Sequence, residues 1–405
     1  MNNNGNNRTI MRGYKIPIYP TESQKKLIDK YFDLYRYVYN WAIEQERNQY
    51  QLYLDGKVDK KDNFLRFIEL VYIFKEFRND PKNSWIKELP IHTAQGALKI
   101  VTDNYMKMFK GQARKPEFKS KKKSKKSFRV RNEPSNFYFD NNMLKIEGFK
   151  DEKIYTKYYT NTNKKDNIRY YKPTISKDNL GQYWVSFIKK KSIKEKDPIY
   201  FLTEPIGIDF GIRQTYALST GEIFKSPNID KLIKKQKRLQ RKCQKDRNRH
   251  RKLERTNPDK DIQISKRAIK RTLKLRKVYK KIHDVKNTFY DTVTKRIVER
   301  NPSAIVIEDL KVKEMQTRKY MSKQICKEYF YSMREKIENK CEEYNIPLIF
   351  APRDYKSTQL CSNCGSEKKM GSQKIYICPN CGLRMDRDIN AAINLRNLAF
   401  NYNMI

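Results

Sequence analysis

Three stretches in the C-terminal half of the sequence place carboxylates at the end of an apolar run or the start of a helix. They are Asp209 between Gly207 and Gly211, Glu308 and Asp309 after Ile305–Ile307, and Asp386 and Asp388 ahead of Asn390, Ala391 and Ala392. Carboxylates are hard oxygen ligands, the kind Mg2+ prefers. Two divalent ions held by such ligands can polarise a phosphodiester, activate water and stabilise the leaving oxygen. Taken singly, each acid reads as a turn or cap residue, and Asp388 as a first-turn acid of a helix. Taken together they predict carboxylates from distant parts of the chain meeting at one sheet edge on a pair of Mg2+ ions. Asp209, Glu308 and Asp388 are the candidates, with Asp309 and Asp386 as their neighbouring competitors. Only His92, His250 and His283 are present, so no His-based alternative stands out.

A second constellation is more local. Cys361 and Cys364 form one Cys-x-x-Cys pair, Cys378 and Cys381 another, and a glycine follows each pair, Gly365 and Gly382. Two such knuckles let four thiolates close a tetrahedron around Zn2+. Four protein ligands leave no open position, so the expected role is structural. The other cysteines, Cys243, Cys326 and Cys341, are scattered and read as free thiols; an odd total of 7 speaks against a disulfide framework.

The charge says what such metals would act on. Lys plus Arg number 89 against 46 Asp plus Glu, a formal net charge of +43. That excess exceeds what solubility needs and marks a chain that neutralises many phosphates. Acidic carboxylate clusters in a strongly basic chain point to a nuclease of RNase H-like logic. No apolar run approaches the ~18 residues of a membrane span, and the polar N-terminal stretch carries no apolar core of a secretory signal; no membrane partner and a cytoplasmic, prokaryotic location are expected. The chain has 405 residues, so two or three domains are expected, and its 28 Tyr and 19 Phe supply core mass and base-stacking surface.

Several elements must position these groups. Residues 10–19 alternate as a strand, with Pro17 suggesting a sheet edge. Thr21 and Gln24 form a capping box that opens a helix, and helical spacing continues to about 112. The basic run 114–131, with Phe118 and Phe128 at its ends, reads as a nucleic-acid contact. Residues 136–146 and 170–188 read as hairpins, turning at Asp140–Asn142 and near Gly181, and suggest a small barrel that the strand at 10–19 could join. From Ile206 onward strand and helix alternate, giving an α/β class with a mixed sheet. Residues 229–300 read as two long basic helices broken at Pro258.

The sequence as a whole resembles the TnpB family, transposon-encoded RNA-guided DNA nucleases related to the miniature type V CRISPR effectors. The resemblance rests on Tyr19–Thr21, Arg36–Asn40, Pro116–Lys121, Gly207–Gly211, Ile307–Leu310, Ser357–Gln359, the four cysteines and Asp386–Ala392. It implies a multidomain α+β chain: an OB-like β-barrel wedge domain with a helical insertion, and an RNase H-like (RuvC) domain with an inserted zinc ribbon. The implied boundaries are 1–21 for the first wedge strand, 22–113 for a helical recognition domain and 114–203 for the rest of the barrel. The nuclease domain follows at 204–356 with its basic hairpin 229–300, then the zinc ribbon at 357–384 and a closing helix at 385–405. The family pattern favours Asp209, Glu308 and Asp388 as the catalytic, Mg2+-binding residues. It also implies a guide RNA and a double-stranded DNA target beside a short motif. A monomer is expected, with a homodimer as the alternative. Two rival readings remain at this level: a guide-free, structure-specific DNA nuclease, and an RNA-guided DNA-binding protein that does not cut.

Overall fold

The computed structural model describes residues 7–130, 136–150, 152–160, 168–194, 203–211, 215–260, 262–309, 323–371 and 373–401. The contacts divide the chain into two units, Met11–Lys191 and Ser192–Ile405 with Met1–Ile10.

In the first unit, β1 (Asn7–Tyr19) runs into α1 (Glu22–Leu54). Thr21 starts that helix with the expected capping box: its hydroxyl accepts from the Gln24 amide, and the Gln24 side chain accepts from the Thr21 amide. Helices α2 (Phe67–Asn79) and α3 (Ile91–Phe109) follow. The chain then supplies β2 (Ser127–Arg129), β3 (Phe137–Asp140), β4 (Met143–Ile146), β5 (Ile154–Thr156), β6 (Tyr171–Lys177) and β7 (Tyr183–Lys194). These strands and β1 form one seven-stranded sheet in the order β2-β6-β7-β1-β5-β4-β3. Helices α1–α3 therefore lie, in sequence, between two strands of the same sheet.

Both expected hairpins form. Asp140 pairs with Met143, so the first turn is Asn141–Asn142, with Asn141 at φ +54°. In the second, Lys177 pairs with Tyr183 and Gly181 takes φ +86°. The edge position expected from Pro17 does not occur, because β1 lies between β7 and β5. The reason is local. Pairing with β5 begins at Ile18↔Thr156, one residue past the proline, and the Thr156 hydroxyl donates to the Pro17 carbonyl.

The second unit carries a mixed sheet in the order β10-β9-β8-β11-β12. Its strands are β8 (Ile206–Gly211), β9 (Thr215–Leu218), β10 (Ile223–Lys225), β11 (Ile305–Glu308) and β12 (Leu348–Ala351). β11 runs parallel to both β8 and β12, while β9 is antiparallel to its neighbours. Between β10 and β11 lie α4 (Asp230–Thr256) and α5 (Lys266–Val298). They zip through a thin apolar seam of Leu239, Cys243, Leu275 and Val278, with Arg271 bound to Asp246, and leave most of their basic side chains exposed. Helix α6 (Lys323–Tyr344) precedes β12; β13 (Ile375–Ile377), β14 (Arg384–Asp386) and α7 (Arg387–Asn401) close the chain.

Alternation along these strands sorts their side chains between two cores. Ile206, Ile208 and Phe210 of β8 and Ile305 and Ile307 of β11 pack with Tyr290, Val293 and Ile297 of α5 and Met333 and Ile337 of α6. Ala304, Val306, Ile349 and Ala351 pack with Leu395, Leu398 and Ala399 of α7 on the opposite face. Gly207 belongs to that second face and has a specific reason to be glycine. A Cβ there would overlap the Ala392 carbonyl and the Arg396 amide of α7. The missing side chain lets α7 lie directly on β8.

Candidate active site and metal centre

The strand register brings the first two acids together. Gly207 pairs with Val306 and Ile208 with Ile307, so Asp209 and Glu308 come next on adjacent parallel strands. By the same alternation both point to the face that α7 covers. Helix α7 begins at Arg387, so Asp388 sits in its first turn, against the same end of the sheet. The three acids arrive from two strand ends and one helix start, with α7 held close by Gly207.

The electrostatics of the cluster are those of crowded like charge. Asp209 is 5% exposed. Burial, then the charges of Glu308 and Asp388, push its carboxyl well above the usual carboxylate range, and Arg387 only partly offsets them. Burial also raises Glu308, against the hydrogen bond that Ser357 donates to its Oε1 at 2.5 Å. Asp388 holds Arg387 at 3.1 Å. A buried acid facing two half-buried ones, with the Arg387 guanidinium beside them, suits a divalent cation, which would supply the missing positive charge.

The two competing acids do different work. Asp309 is gripped by Arg334 at 2.9 Å and Arg353 at 2.7 Å, which hold its carboxyl below the usual range. Asp386 caps α7, its Oδ1 accepting from the amides of Asp388 and Ile389. The capping role open to Asp388 in the sequence thus belongs to Asp386, and the Asp388 carboxylate is left to Arg387 and the cluster.

The four cysteines converge more tightly. Their sulfurs all lie within 4.8 Å of one another. Cys361 and Cys381 Sγ are 3.6 Å apart, as are Cys364 and Cys378 Sγ. A tetrahedron with Zn–S bonds of ~2.3 Å has edges of about 3.8 Å, so the donors fit Zn2+. Gly365 and Gly382 both take φ +72°, and their amides close matching turns on the carbonyls of Cys361 and Cys378. The two knuckles are geometric copies, which is what two equal Cys-x-x-Cys-Gly segments should give. Among the described residues these thiols are the one acid, His or Cys group meeting that spacing; the carboxylates stand further apart. Ligands shared between two ions ~3.5–4 Å apart need not crowd around one point. Cys243 and Cys341 are buried in the apolar cores, and the Cys326 side chain lies outside the described residues.

Sequence reasoning from residue types gave no role to the two α7 amides that hold the backbone leading into the first thiol pair. Asn390, 0% exposed, donates to the Leu360 carbonyl and accepts from the Ser362 amide. Asn394 donates to the carbonyls of Ser357 and Leu360. The available signal was a pair of amides four residues apart on an otherwise apolar helix face, among Ala391, Ala392 and Leu395.

Three family models match the chain. A helix-turn-helix domain model matches residues 10–54, a "Probable transposase" model residues 202–319, and a "Cas12f1-like, TNB domain" model residues 330–395. In this structure the first of these stretches is a strand and one continuous helix. A protein of Streptomyces pristinaespiralis named "Putative RNA-guided DNA endonuclease" is 25% identical over 95% of this chain and 89% of its own length. A "TnpB-like protein" of Acanthamoeba polyphaga mimivirus is 24% identical over 94% of this chain and 72% of its own length. A solved complex of Cas12f1 with guide RNA and target DNA aligns with 96% of this chain and 99% of its own at 13% identity, but its TM-score of 0.30 fixes no residue correspondence. Over nearly its whole length this chain is similar to proteins named as TnpB-like or as RNA-guided DNA endonucleases.

Proposed function

We propose that this protein is an RNA-guided, metal-dependent DNA endonuclease in which Asp209, Glu308 and Asp388 form a RuvC-type cutting centre. The observation that carries this reading is the buried Asp209 carboxylate facing Glu308 and Asp388 across one end of the mixed sheet. Full-length relatives named as RNA-guided DNA endonucleases support it. Mg2+ is the expected cation, and when bound it supplies Lewis-acid polarisation of the phosphodiester and a more acidic water. The chain's own part is to bring three carboxyl groups to one end of the sheet, to hold Arg387 beside Asp388, and to keep Asp309 engaged elsewhere. The four thiolates hold a structural Zn2+.

In this reading the mixed-sheet unit is the nuclease domain over 204–356 and 385–405, with the zinc ribbon at 357–384. The seven-stranded sheet is an OB-like wedge over 1–21 and 114–203, interrupted by a helical recognition domain at 22–113. The basic faces of α4 and α5 follow the sugar-phosphate backbone of a guide–target hybrid without reading its bases. Sequence is read by the guide, after a short motif beside the target is recognised.

The test is cleavage of a guide-matched plasmid by Asp209→Ala, Glu308→Ala and Asp388→Ala beside Asp309→Asn. The three alanine variants are expected to lose cutting by roughly a thousandfold, the scale of several kcal/mol of transition-state stabilisation, and to bind guide RNA as the parent does. Asp309→Asn should cut within a few-fold of the parent, because its exposed ion pairs contribute only ~0.2–1 kcal/mol each. Sustained cutting by all three alanine variants would end the assignment.

A further inference from the structure

The hydrogen bond from Ser357 to Glu308 joins the acidic cluster to the thiol cluster. Ser357 is 2% exposed, and its hydroxyl donates to Glu308 Oε1. Its own carbonyl is taken by Asn394, whose amide also donates to the Leu360 carbonyl at 2.8 Å. Asn390 brackets Cys361: it donates to Leu360 on one side at 2.7 Å and accepts from Ser362 on the other at 3.0 Å. Both asparagines stand on α7, the helix whose first turn carries Asp388. Tyr355, between β12 and Ser357, donates to the Asn394 carbonyl. The first thiolate knuckle is thus fastened to the helix bearing one carboxylate, and the segment leading into it holds another.

We propose that Ser357 is a positioning residue that fixes Glu308 for divalent-metal binding, and that the Cys361 knuckle, through Asn390 and Asn394, fixes Ser357. This rests on the reading of Asp209, Glu308 and Asp388 as a metal centre. The physical case is that Glu308 has a long side chain beside two other acids, whose repulsion favours rotamers turned away. A short hydroxyl bond from a buried serine opposes that swing and leaves the second carboxylate oxygen for a cation. The serine can do so only while its backbone is held. Four asparagine hydrogen bonds do the holding, and three of them go to the residues flanking Cys361. Closing the thiolates on Zn2+ therefore stiffens the support of Glu308, and by linkage the two metal sites strengthen each other.

The experiment uses the full chain with its co-purified RNA and Mn2+ as the probe. Free Mn2+ is measured by electron paramagnetic resonance, alongside the Mn2+ dependence of cleavage, zinc content and RNA retention. Ser357→Ala is expected to raise the Mn2+ concentration for half-saturation roughly tenfold, the loss of one hydrogen bond to a charged group. Its rate at saturating Mn2+, zinc content and RNA retention should stay near the parent's. Ser357→Thr, which keeps the hydroxyl, should restore the parent's Mn2+ affinity. An unchanged Mn2+ affinity in Ser357→Ala would overturn the proposal, and so would a defect that Ser357→Thr shares and that comes with lost zinc. Asp209→Ala run in parallel separates the two levels. If it binds Mn2+ as the parent does, the metal-centre reading itself fails and takes the Ser357 role with it.

Discussion

The four thiols and the three carboxylates are both clusters of metal-ligand chemistry in one unit, yet they are built in opposite ways. The thiols come from two short segments that fold into identical turns, and their spacing alone dictates a tetrahedron. The carboxylates come from two parallel strand ends and a helix start separated by long stretches of chain. Their meeting depends on a sheet register, on strand alternation and on a glycine that admits a helix. The first cluster is a property of local sequence and the second a property of the fold. The asparagines of α7 tie one to the other, so the local cluster also helps to hold the distributed one.

If that contrast is sound, breaking each cluster should fail differently. The largest effect on structure is expected from Cys378→Ser. A three-thiolate knuckle should lose zinc, and because metal-binding energy is folding energy in such modules, the ribbon should become sensitive to protease. Metal analysis and limited proteolysis read both. Retained zinc with an intact ribbon would mean that the thiols are not the ligands.

Gly207→Val addresses the distributed cluster without touching an acid. Its side chain would collide with the backbone of α7, costing ~1–3 kcal/mol of overpacking or more and lifting Asp388 away from Asp209. The expected outcome is a lower melting temperature and cleavage reduced more strongly than zinc content. Gly13→Val, on β1 where an added Cβ would meet nothing within 4 Å, should be milder by both measures. Equal effects from the two would break the claim that α7 contact is what Gly207 serves.

Burial alone does not make a site, and Glu46 sharpens that point. It is 2% exposed on α1, accepts from the Leu65 amide and has no partner among the described residues for its Oε1. Burial pushes its carboxyl from the ordinary 4.5 up to about 8, with Glu69 adding a smaller push. Unlike Asp209, it faces no ring of acids. The folded chain keeps a proton that the unfolded chain releases, so the contribution of Glu46 to stability is greatest below pH 4.5 and falls as pH rises toward 8. Glu46→Gln keeps the acceptor for Leu65 and removes the titration. It should flatten the fall in melting temperature of the Met11–Lys191 unit between pH 5.5 and 8.5 and leave cleavage near the parent's. An unchanged slope would mean that Glu46 is ionised in the folded protein.

Legibility in the sequence followed the same divide. The Thr21 capping box, the two hairpin turns, the helical hairpin and the Cys-x-x-Cys knuckles are short-range patterns, and each appears at its expected residues. Pro17 was misread because a proline's missing donor matters only where a neighbour needs it, and the β5 ladder starts one residue later. Asp209, Glu308 and Asp388 were nameable as acids at element ends, but not their mutual orientation, which alternation and register decide. The tasks of Asp309 and Asp386 were open as well, since Arg334 and Arg353 reach Asp309 only in three dimensions. Ser357, Asn390 and Asn394 could not be assigned roles from type, because a buried amide shows its purpose only through its partners.

The most direct test of the central claim is cleavage of two plasmids, one matching the RNA that co-purifies with the chain and one scrambled, by the parent and by Asp209→Asn in Mg2+. The account predicts that the parent cuts only the matched plasmid and that Asp209→Asn cuts neither while retaining the RNA. Cutting of the scrambled plasmid, or of the matched one by Asp209→Asn, would contradict it.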